Sequence, residues 1–585
     1  MAVGLLGTAA SGLQAFQRAI SVTGHNISNA NTEGYTRQRI ELGTRPPSFT
    51  GQGFIGNGVQ VESIERVFDE FVTERLRNTT SSSSQYETLA LLSGRVSNLL
   101  GDDQAGLGNG LEAFFNAVQA LADDPSSIPV RQVLLAEGES LIARFHNLDS
   151  QLDSMRDEIN GGLSNMVAEI NTLSTAIAEA NRNIVDATSQ GSGAAPNDLL
   201  DERDSLINRL SELVSVRTVE QENGATNVFV GSGQSLVTGF LASELRTVPN
   251  DFDNRRLDIA VVGAGISTVI TDNLTGGQLG ATLEFRDRML DSAQNGLGRI
   301  AVTVATEFNR QHTLGMDLDG AAGTDFFSVA APQVAANLNN TGAASVSASF
   351  DAANIDDLST DDYVLGFDGA AWTLSRVSDG QPVSMTGSGP FFADGLQIDI
   401  AGSAAAGDRF LIRPTRSAGA EVSMLLGNPR EIAAAAPAPG PAPGDNSNAL
   451  LLANLQVAQT MENATTSFQG AYGQLVGELG TQTRSAQINA DAQEALLVVQ
   501  VVLDDERGVR VVERTRPRHR RERRPVREAA VLHGRTARAC RPRDRLAATA
   551  TPGPPAHQQA HAPGHGCQRR CRQHCHRRAC LCRGA

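Results

Sequence analysis

Lysine is absent from all 585 residues, and every one of the 49 basic side chains is arginine. That points to a GC-rich gene rather than to a function. Cysteine is absent up to residue 539; all six thiols lie at Cys540 or beyond. A body without thiols needs neither disulfides nor thiolate metal sites and is indifferent to redox compartment. Aromatic residues make up 4% of the chain, which suits long helices and light β-domains better than a dense enzyme core. No apolar run reaches the roughly 18 residues that could span a bilayer, so no membrane insertion is expected. The opening residues lack the basic n-region and continuous apolar stretch of a cleavable signal peptide. An exported form is expected to keep its N-terminus.

Charge is divided unevenly. Residues 501–585 hold 21 Arg against 7 acids, whereas residues 1–500 hold 28 Arg against 58 acids, a net of −30. A body this acidic repels phosphate backbones, and no nucleic-acid partner is expected for it. The length exceeds what one core organises, so roughly two to four domains are expected.

What the chain does have begins almost at residue 1. Leu6, Leu13, Ile20 and Ile27 stand at seven-residue intervals, with Ala9, Phe16, Thr23 and Ala30 three residues further on. Such a narrow seam marks a helix that packs lengthwise against other helices. An amphipathic core helix has the same spacing, and spacing alone does not separate the two. The Asn/Gly-rich stretch from Asn26 to Gly34 then ends the helix.

A longer seam follows. Leu141, Phe145, Leu148, Leu152, Met155 and Ile159 alternate steps of four and three, and Leu163, Met166, Ile170, Leu173, Ile177 and Ile184 carry it on. An extra four-step at Gly161-Gly162 is a stutter, where the helix is free to bend. Its fifty or so residues predict a rod of roughly 75 Å. Val214–Val230, around Asn223-Gly224, reads as a β-hairpin. Short alternating runs between 345 and 414 read as a separate antiparallel domain.

The fold class expected is therefore mainly α with β insertions: an elongated multidomain chain with terminal coiled-coil-like helices, a helical rod domain and an antiparallel β outer domain. Its parts are an N-terminal helix and extended segment (1–66) and a helical rod (67–325) with a β-hairpin region at about 213–275. A β-rich outer domain (326–432), a stiff Pro/Ala linker (433–445), helices returning to the rod (446–500) and an Arg/Pro/Cys-rich tail (501–585) complete it.

Chemistry finds little support. In the tail, Cys567, Cys571, Cys575, Cys580 and Cys582 with His565, His574 and His576 offer ligands for zinc. They lack paired Cys-x2-Cys knuckles and apolar residues to close a domain around a metal. Asp317, Asp319 and Asp325 around Gly320 miss the EF-hand order and read as a turn with solvated acids. Gly263-Ala264-Gly265 reads as a hairpin turn rather than a dinucleotide loop. His25, His146 and His312 sit in no nucleophile motif. The Asp201-Glu202-Arg203-Asp204 cluster reads as an intrahelical salt-bridge face. No catalytic residue, cofactor or metal ligand is assigned, and the chain is not expected to be an enzyme.

The segment Ser11-Gly12-Leu13-Gln14-Ala15-Phe16 through Asn29-Ala30-Asn31-Thr32-Glu33-Gly34-Tyr35 resembles the signature shared by bacterial flagellar axial proteins. Leu111-Glu112-Ala113-Phe114-Phe115 with Gln119-Ala120-Leu121, Pro125 and Arg131-Gln132 narrows the resemblance to the hook-associated protein 1 family. Asn197–Asp204, the run from Asn223-Gly224 to Gly231, Gly277-Gln278-Leu279-Gly280, Phe308–His312 with Asp325-Phe326-Phe327, and Gly444–Ala449 follow in the family's order.

The resemblance implies a secreted structural subunit of the hook–filament junction, exported by the flagellar type III apparatus with its chaperone. It further implies a homo-oligomeric ring lying between hook protein and the next hook-associated protein. Leu6, Leu13, Phe16, Ile20 and Ile27 would then be subunit-packing positions, and Asn26, Asn29, Asn31, Gly34 and Tyr35 would shape the turn leaving the inner helix. After Gln500 the likeness stops short of the family's last amphipathic helix. Residues 501–585 contain no Ser, Asn, Ile, Met, Phe, Tyr or Trp, which reads as GC-rich DNA translated out of frame or as a tail without groups to fold around. The rival readings are another axial protein (hook or filament-proximal subunit), or a metal- or nucleic-acid-binding tail on a helical scaffold.

Overall fold

The structure, a computed structural model, describes residues 2–506 apart from 50, 103, 192–193 and 264–265. The Cys- and His-bearing tail lies outside the described residues. Helix α1 (Ala2–Ser28) leads into a β-hairpin extension of β1 (Gln38–Thr44), β2 (Ser48–Phe49), β3 (Phe54–Ile55) and β4 (Val59–Arg66). The helical body follows: α2 (Glu70–Leu100), α3 (Leu107–Asp123), α4 (Ile128–Gln190), α5 (Asn197–Leu213), α6 (Gly277–Phe285) and α7 (Asp291–His312). A short α8 (Ala418–Glu421), α9 (Ser447–Asn454) and α10 (Phe468–Glu506) close it.

Local chemistry sets several of these bounds. Asp69 caps α2 by accepting the Val72 N–H at 3.3 Å, and the polar Thr79–Gln85 stretch continues the helix without a break. Helix α4 is longer than its seam predicts. It runs 63 residues from Ile128, about 95 Å at the usual rise. Gly161 and Gly162 pass through it uninterrupted. At α5 the N-cap position is Pro196, and Asn197 donates its side-chain N–H to the Ile64 carbonyl at 2.9 Å. A π-helical turn at Arg286–Leu290 joins α6 to α7.

Helix α10 runs along α2. Phe468, Tyr472, Leu475, Leu479 and Ala486, spaced by fours and threes with Thr483, are its buried stripe. The Tyr472 hydroxyl donates to the Leu100 carbonyl where α2 ends and accepts the Leu107 N–H opening α3, at 3.1 Å. Between α3 and α7, Phe114, Phe308, Phe326 and Phe327 interlock with ring centroids 4.8–6.2 Å apart.

The region near 213–275 holds more than one hairpin. Its seven strands form a four-stranded and a three-stranded sheet, with Gly263 paired to Ile266 across a turn whose middle is outside the described residues. A second β-rich unit, between 333 and 413, has a five-stranded and a three-stranded sheet. Its own core is built on Tyr363, Leu365, Leu374, Leu396, Ile398, Phe410 and Ile412. Chain enters and leaves this unit through two strands, Phe327–Ser328 and Ser423–Met424, that pair with each other.

A buried charge network ties this unit to the helices. Arg416 reaches Asp291 of α7 at 2.6 Å and Asp362 at 2.7 Å, and Arg156 of α4 reaches Asp291 at 2.8 Å. Burial opposes the Asp291 charge, yet Arg416, Arg156 and Arg256 outweigh it and hold the carboxyl well below its usual range.

Three expectations are corrected here. Residues 433–445 are not a linker throughout: Ala433, Ala434 and Ala435 are buried, and Ala435 bridges Met316. Small alanines fit where larger side chains would clash, so a composition typical of linkers becomes core. His312 explains the fit. Its Nδ1–H donates to the Thr324 carbonyl, at 2.6 Å, and its Nε2 accepts the Ala433 N–H, at 2.9 Å. Burial above all holds this imidazole down at about 4. Asp317 is buried rather than solvated and accepts the N–H groups of Asp319 and Ala321. The outer unit is narrower than 326–432, since Phe326, Phe327, Val422, Leu426 and Ile432 belong to the helical core.

One backbone feature has no sequence signature. Glu462, Asn463 and Ala464 all adopt left-handed φ values of 55°, 55° and 58°. Non-glycine residues pay roughly 1–2 kcal/mol each there. Around them, Glu462 is paired with Arg299 of α7 at 2.9 Å and the Asn463 N–H donates to the Asp356 carbonyl at 2.8 Å.

Candidate functional site: the seam helix and its exit turn

Helix α1 has two unlike faces. Ser11 and Ala15, each 3% exposed, face the hairpin of β1 and β4. The Ser11 hydroxyl accepts the Val59 N–H at 3.2 Å, and Gly58 lies so close that a Cβ there would sit 2.2 Å from the Ser11 oxygen. The other face is the predicted seam. Leu6, Leu13, Phe16, Ile20 and Ile27 are 63–72% exposed. Five large apolar groups in one line on an exposed helix face mark a contact surface rather than a core-facing one.

The exit turn is built by side chains that imitate backbone. Asn26 accepts the Gln38 N–H at 2.9 Å and donates to the Gln38 carbonyl at 2.9 Å, as a neighbouring strand would. Tyr35 donates its hydroxyl to the same Asn26 oxygen at 2.6 Å. Burial, then Asp198 and Asp201, push the Tyr35 phenol above its usual range. Asn29 donates back to the His25 carbonyl at 3.1 Å and accepts the Thr32 hydroxyl at 3.2 Å. Gly34 has φ +80°, and a Cβ there would stand 3.2 Å from Ser205 Cβ. Asn31 is exposed, and no side-chain hydrogen bond from it occurs among the described residues.

This turn is seated on α5. The Thr36 N–H donates to Asp201 Oδ2 at 2.8 Å, and Gln38 Nε2 donates to Asp198 at 3.0 Å. Arg66, at the end of β4, bridges Asp201 at 2.9 Å and Asp204 at 2.8 Å. From α2, Arg77 reaches Asp204 at 2.9 Å. Burial penalises the Asp204 charge, but Arg77 and Arg66 outweigh it and lower the carboxyl below its usual range. Arg203 points elsewhere, to Asn181 and the Gly224 carbonyl at 3.3 and 2.7 Å.

The intrahelical salt-bridge reading of 201–204 is therefore wrong: its partners come from β4, α2, α4 and the exit turn. Arg66, Arg77 and Ser205 carry this seat and escaped sequence reasoning, because nothing local pairs residues more than a hundred positions apart. No cluster of metal-binding side chains occurs among the described residues.

Comparisons agree with this architecture. Residues 93–327 match the family described as the flagellar hook-associated protein FlgK helical domain. Residues 335–414 match the flagellar hook-associated protein 1 D2-like domain, and residues 6–36 match the flagella basal body rod protein family. The chain is 34% identical over 500 residues to flagellar hook-associated protein 1 of Salmonella typhimurium, covering 84% of this chain and 90% of that one. Against the Escherichia coli protein of the same name the identity is 32% over 498 residues, with the same coverage. A solved structure, the flagellar hook junction protein FlgK from Burkholderia pseudomallei, superposes with a TM-score of 0.68 at 28% identity. It covers 74% of this chain and 99% of that one.

Proposed function

The chain belongs to the flagellar hook-associated protein 1 family and is a structural subunit of the bacterial flagellum at the hook–filament junction; from that premise we propose how it joins its neighbours. Leu6, Leu13, Phe16, Ile20 and Ile27 pack against terminal helices of adjacent copies in a ring. The exit turn of Asn26, Asn29, Asn31, Gly34 and Tyr35 fixes the angle at which α1 leaves the body. What carries this reading is the exposure of the whole seam while the opposite face is already occupied by the hairpin. Each apolar side chain removed from water contributes roughly 1.5–3 kcal/mol before ordering costs.

On this reading the ring abuts hook protein on one side and the next hook-associated protein on the other, after export through the type III apparatus with a chaperone. Residues 1–66 and the distal part of α10, where Ile488, Leu496, Val498 and Val499 are exposed, serve the inner assembly. The unit between 333 and 413 decorates the outside. On this reading the work is mechanical.

The test is the double variant Leu13→Asp/Ile20→Asp in the full chain. Chemical cross-linking of the concentrated parent should give oligomers that the variant loses, with the melting temperature of the monomer unchanged. A variant that melts far lower would place those positions in the monomer's own core and sink the proposal.

A further inference from the structure

Two exposed features outside the seam have no role so far. The first is the tip of the hairpin extension, where Phe49, Phe54 and Ile55 are 67%, 73% and 60% exposed. Phe49 and Phe54 are cross-strand partners with ring centroids 5.3 Å apart. Asn57 braces the base, donating to the Pro46 carbonyl at 2.7 Å and to the Ser48 hydroxyl at 2.6 Å. The result is a braced apolar knob left exposed among the described residues.

The second is a groove of about 360 Å³ where α2, α4 and α6 meet. Its apolar lining includes Leu91, Leu92, Met155, Ile159, Met166 and Phe285, with Leu91 68% exposed. The Arg95–Glu158 pair stands at its rim, at 2.6 Å. Methionines line sites that adapt to an entering aromatic ring, through flexible stems and sulfur–aromatic contact. Gly162, also in the lining, leaves room on the α4 side.

We propose that the Phe49–Phe54–Ile55 tip of one copy seats in the α2–α4–α6 groove of the next copy. This rests on the self-assembly proposed above and adds a second contact to it. Charge favours a sister copy. Residues 44–58 carry one charge, that of Arg45, while residues 1–500 carry a net −30. Two such acidic bodies repel each other, and a tip that is uncharged but for one cation is the part each accepts from the other.

Continuity with the seam favours it too. The hairpin is rooted on α1 at the Ser11–Gly58 approach, so a copy held by its seam also carries its tip in a set direction. A knob and a hole on different elements allow a head-to-tail contact, which generates rings or helical arrays. Three side chains bury too little for a stable dimer alone, typically about 1,200 Å² or more. The contact therefore works beside the seam, as one of several linked points.

Disulfide trapping tests this on the full chain with its six native cysteines changed to serine. Phe54→Cys and Leu91→Cys are introduced together and separately, both at exposed positions, and the concentrated protein is oxidised. The expected result is a ladder of covalent oligomers from the double variant, with the single variants stopping at dimers. Absence of a ladder beyond the single-variant background overturns the proposal, whatever other partner the tip serves. So does a disulfide closed within one chain. If trapping fails while cross-linked oligomers still depend on Leu13 and Ile20, only the tip–groove contact falls. If neither appears, the self-assembly reading falls with it.

Discussion

The Thr36 backbone N–H points into Asp201 Oδ2 at 2.8 Å across 165 residues of sequence. That contact ties the turn after α1 to α5. The same carboxylate holds Arg66, so the exit of α1 and the return strand β4 share one anchor. Replacing Asp201 by Asn removes the charge and leaves Arg66 with Asp204 alone. Breaking one partner of a buried pair costs about 3 kcal/mol. Denaturant unfolding of Asp201→Asn against the parent measures it, and faster proteolysis near Arg37 would show that the turn itself has loosened.

Gly34→Ala meets two obstacles, a positive φ and Ser205. A loss of roughly 1–2 kcal/mol is expected from the backbone term, again by denaturant unfolding. Made in a Ser205→Gly background, Gly34→Ala should cost less, by the part due to contact. No loss in that background would mean that backbone conformation is not the obstacle.

The sequence showed α1 and α4 plainly because a seven-residue apolar repeat is a local signal that needs no knowledge of partners. The same periodicity could not say whether Leu13 faces its own core or water; only the hairpin's occupation of the Ser11 and Ala15 face decides that. Asp201 and Asp204 were legible as charged and helical, yet their partners Arg66 and Arg77 lie more than a hundred residues away. Charge spacing within a helix always suggests its own neighbours first. Ala433–Ala435 misled for a different reason: composition distinguishes a spacer from a tight fit poorly when the side chain is a single methyl group. The left-handed run at 462–464 left little trace, since of its three residues only Asn463 is of a type that favours such angles.

His312 makes stability fall in mild acid. Its folded-state value of about 4 lies below the ordinary 6.5 of an unfolded histidine. The unfolded chain therefore binds the proton more readily between those values. The stabilisation is complete above pH 6.5 and declines as pH drops toward 4, by on the order of 3 kcal/mol in all. Urea unfolding of the parent and His312→Gln at pH 7.5 and 4.5 checks this; the difference between them should shrink on acidification.

Ala464 is exposed at φ 58°, so Ala464→Gly gives up no packing and relieves a disfavoured angle. After allowing for the greater freedom of glycine in the unfolded chain, a gain of up to about 1 kcal/mol is expected. A lower melting temperature would show that the angle costs nothing in this setting.

Tyr472→Phe removes a hydroxyl that serves both the Leu100 carbonyl and the Leu107 N–H. The buried N–H is left without its acceptor, at a cost of about 1–3 kcal/mol. Amide exchange at Leu107 should speed up more than exchange at sites distant from the α2–α3 corner.

Phe327–Ser328 and Ser423–Met424 run side by side, so the polypeptide departs from the shaft and rejoins it through a single doorway. Everything beyond that doorway is a cassette. An exchange there that spared Arg416 and Asp362 would keep the ion pairs that join Asp362 through Arg416 to Asp291 of α7 and alter only the face beyond them.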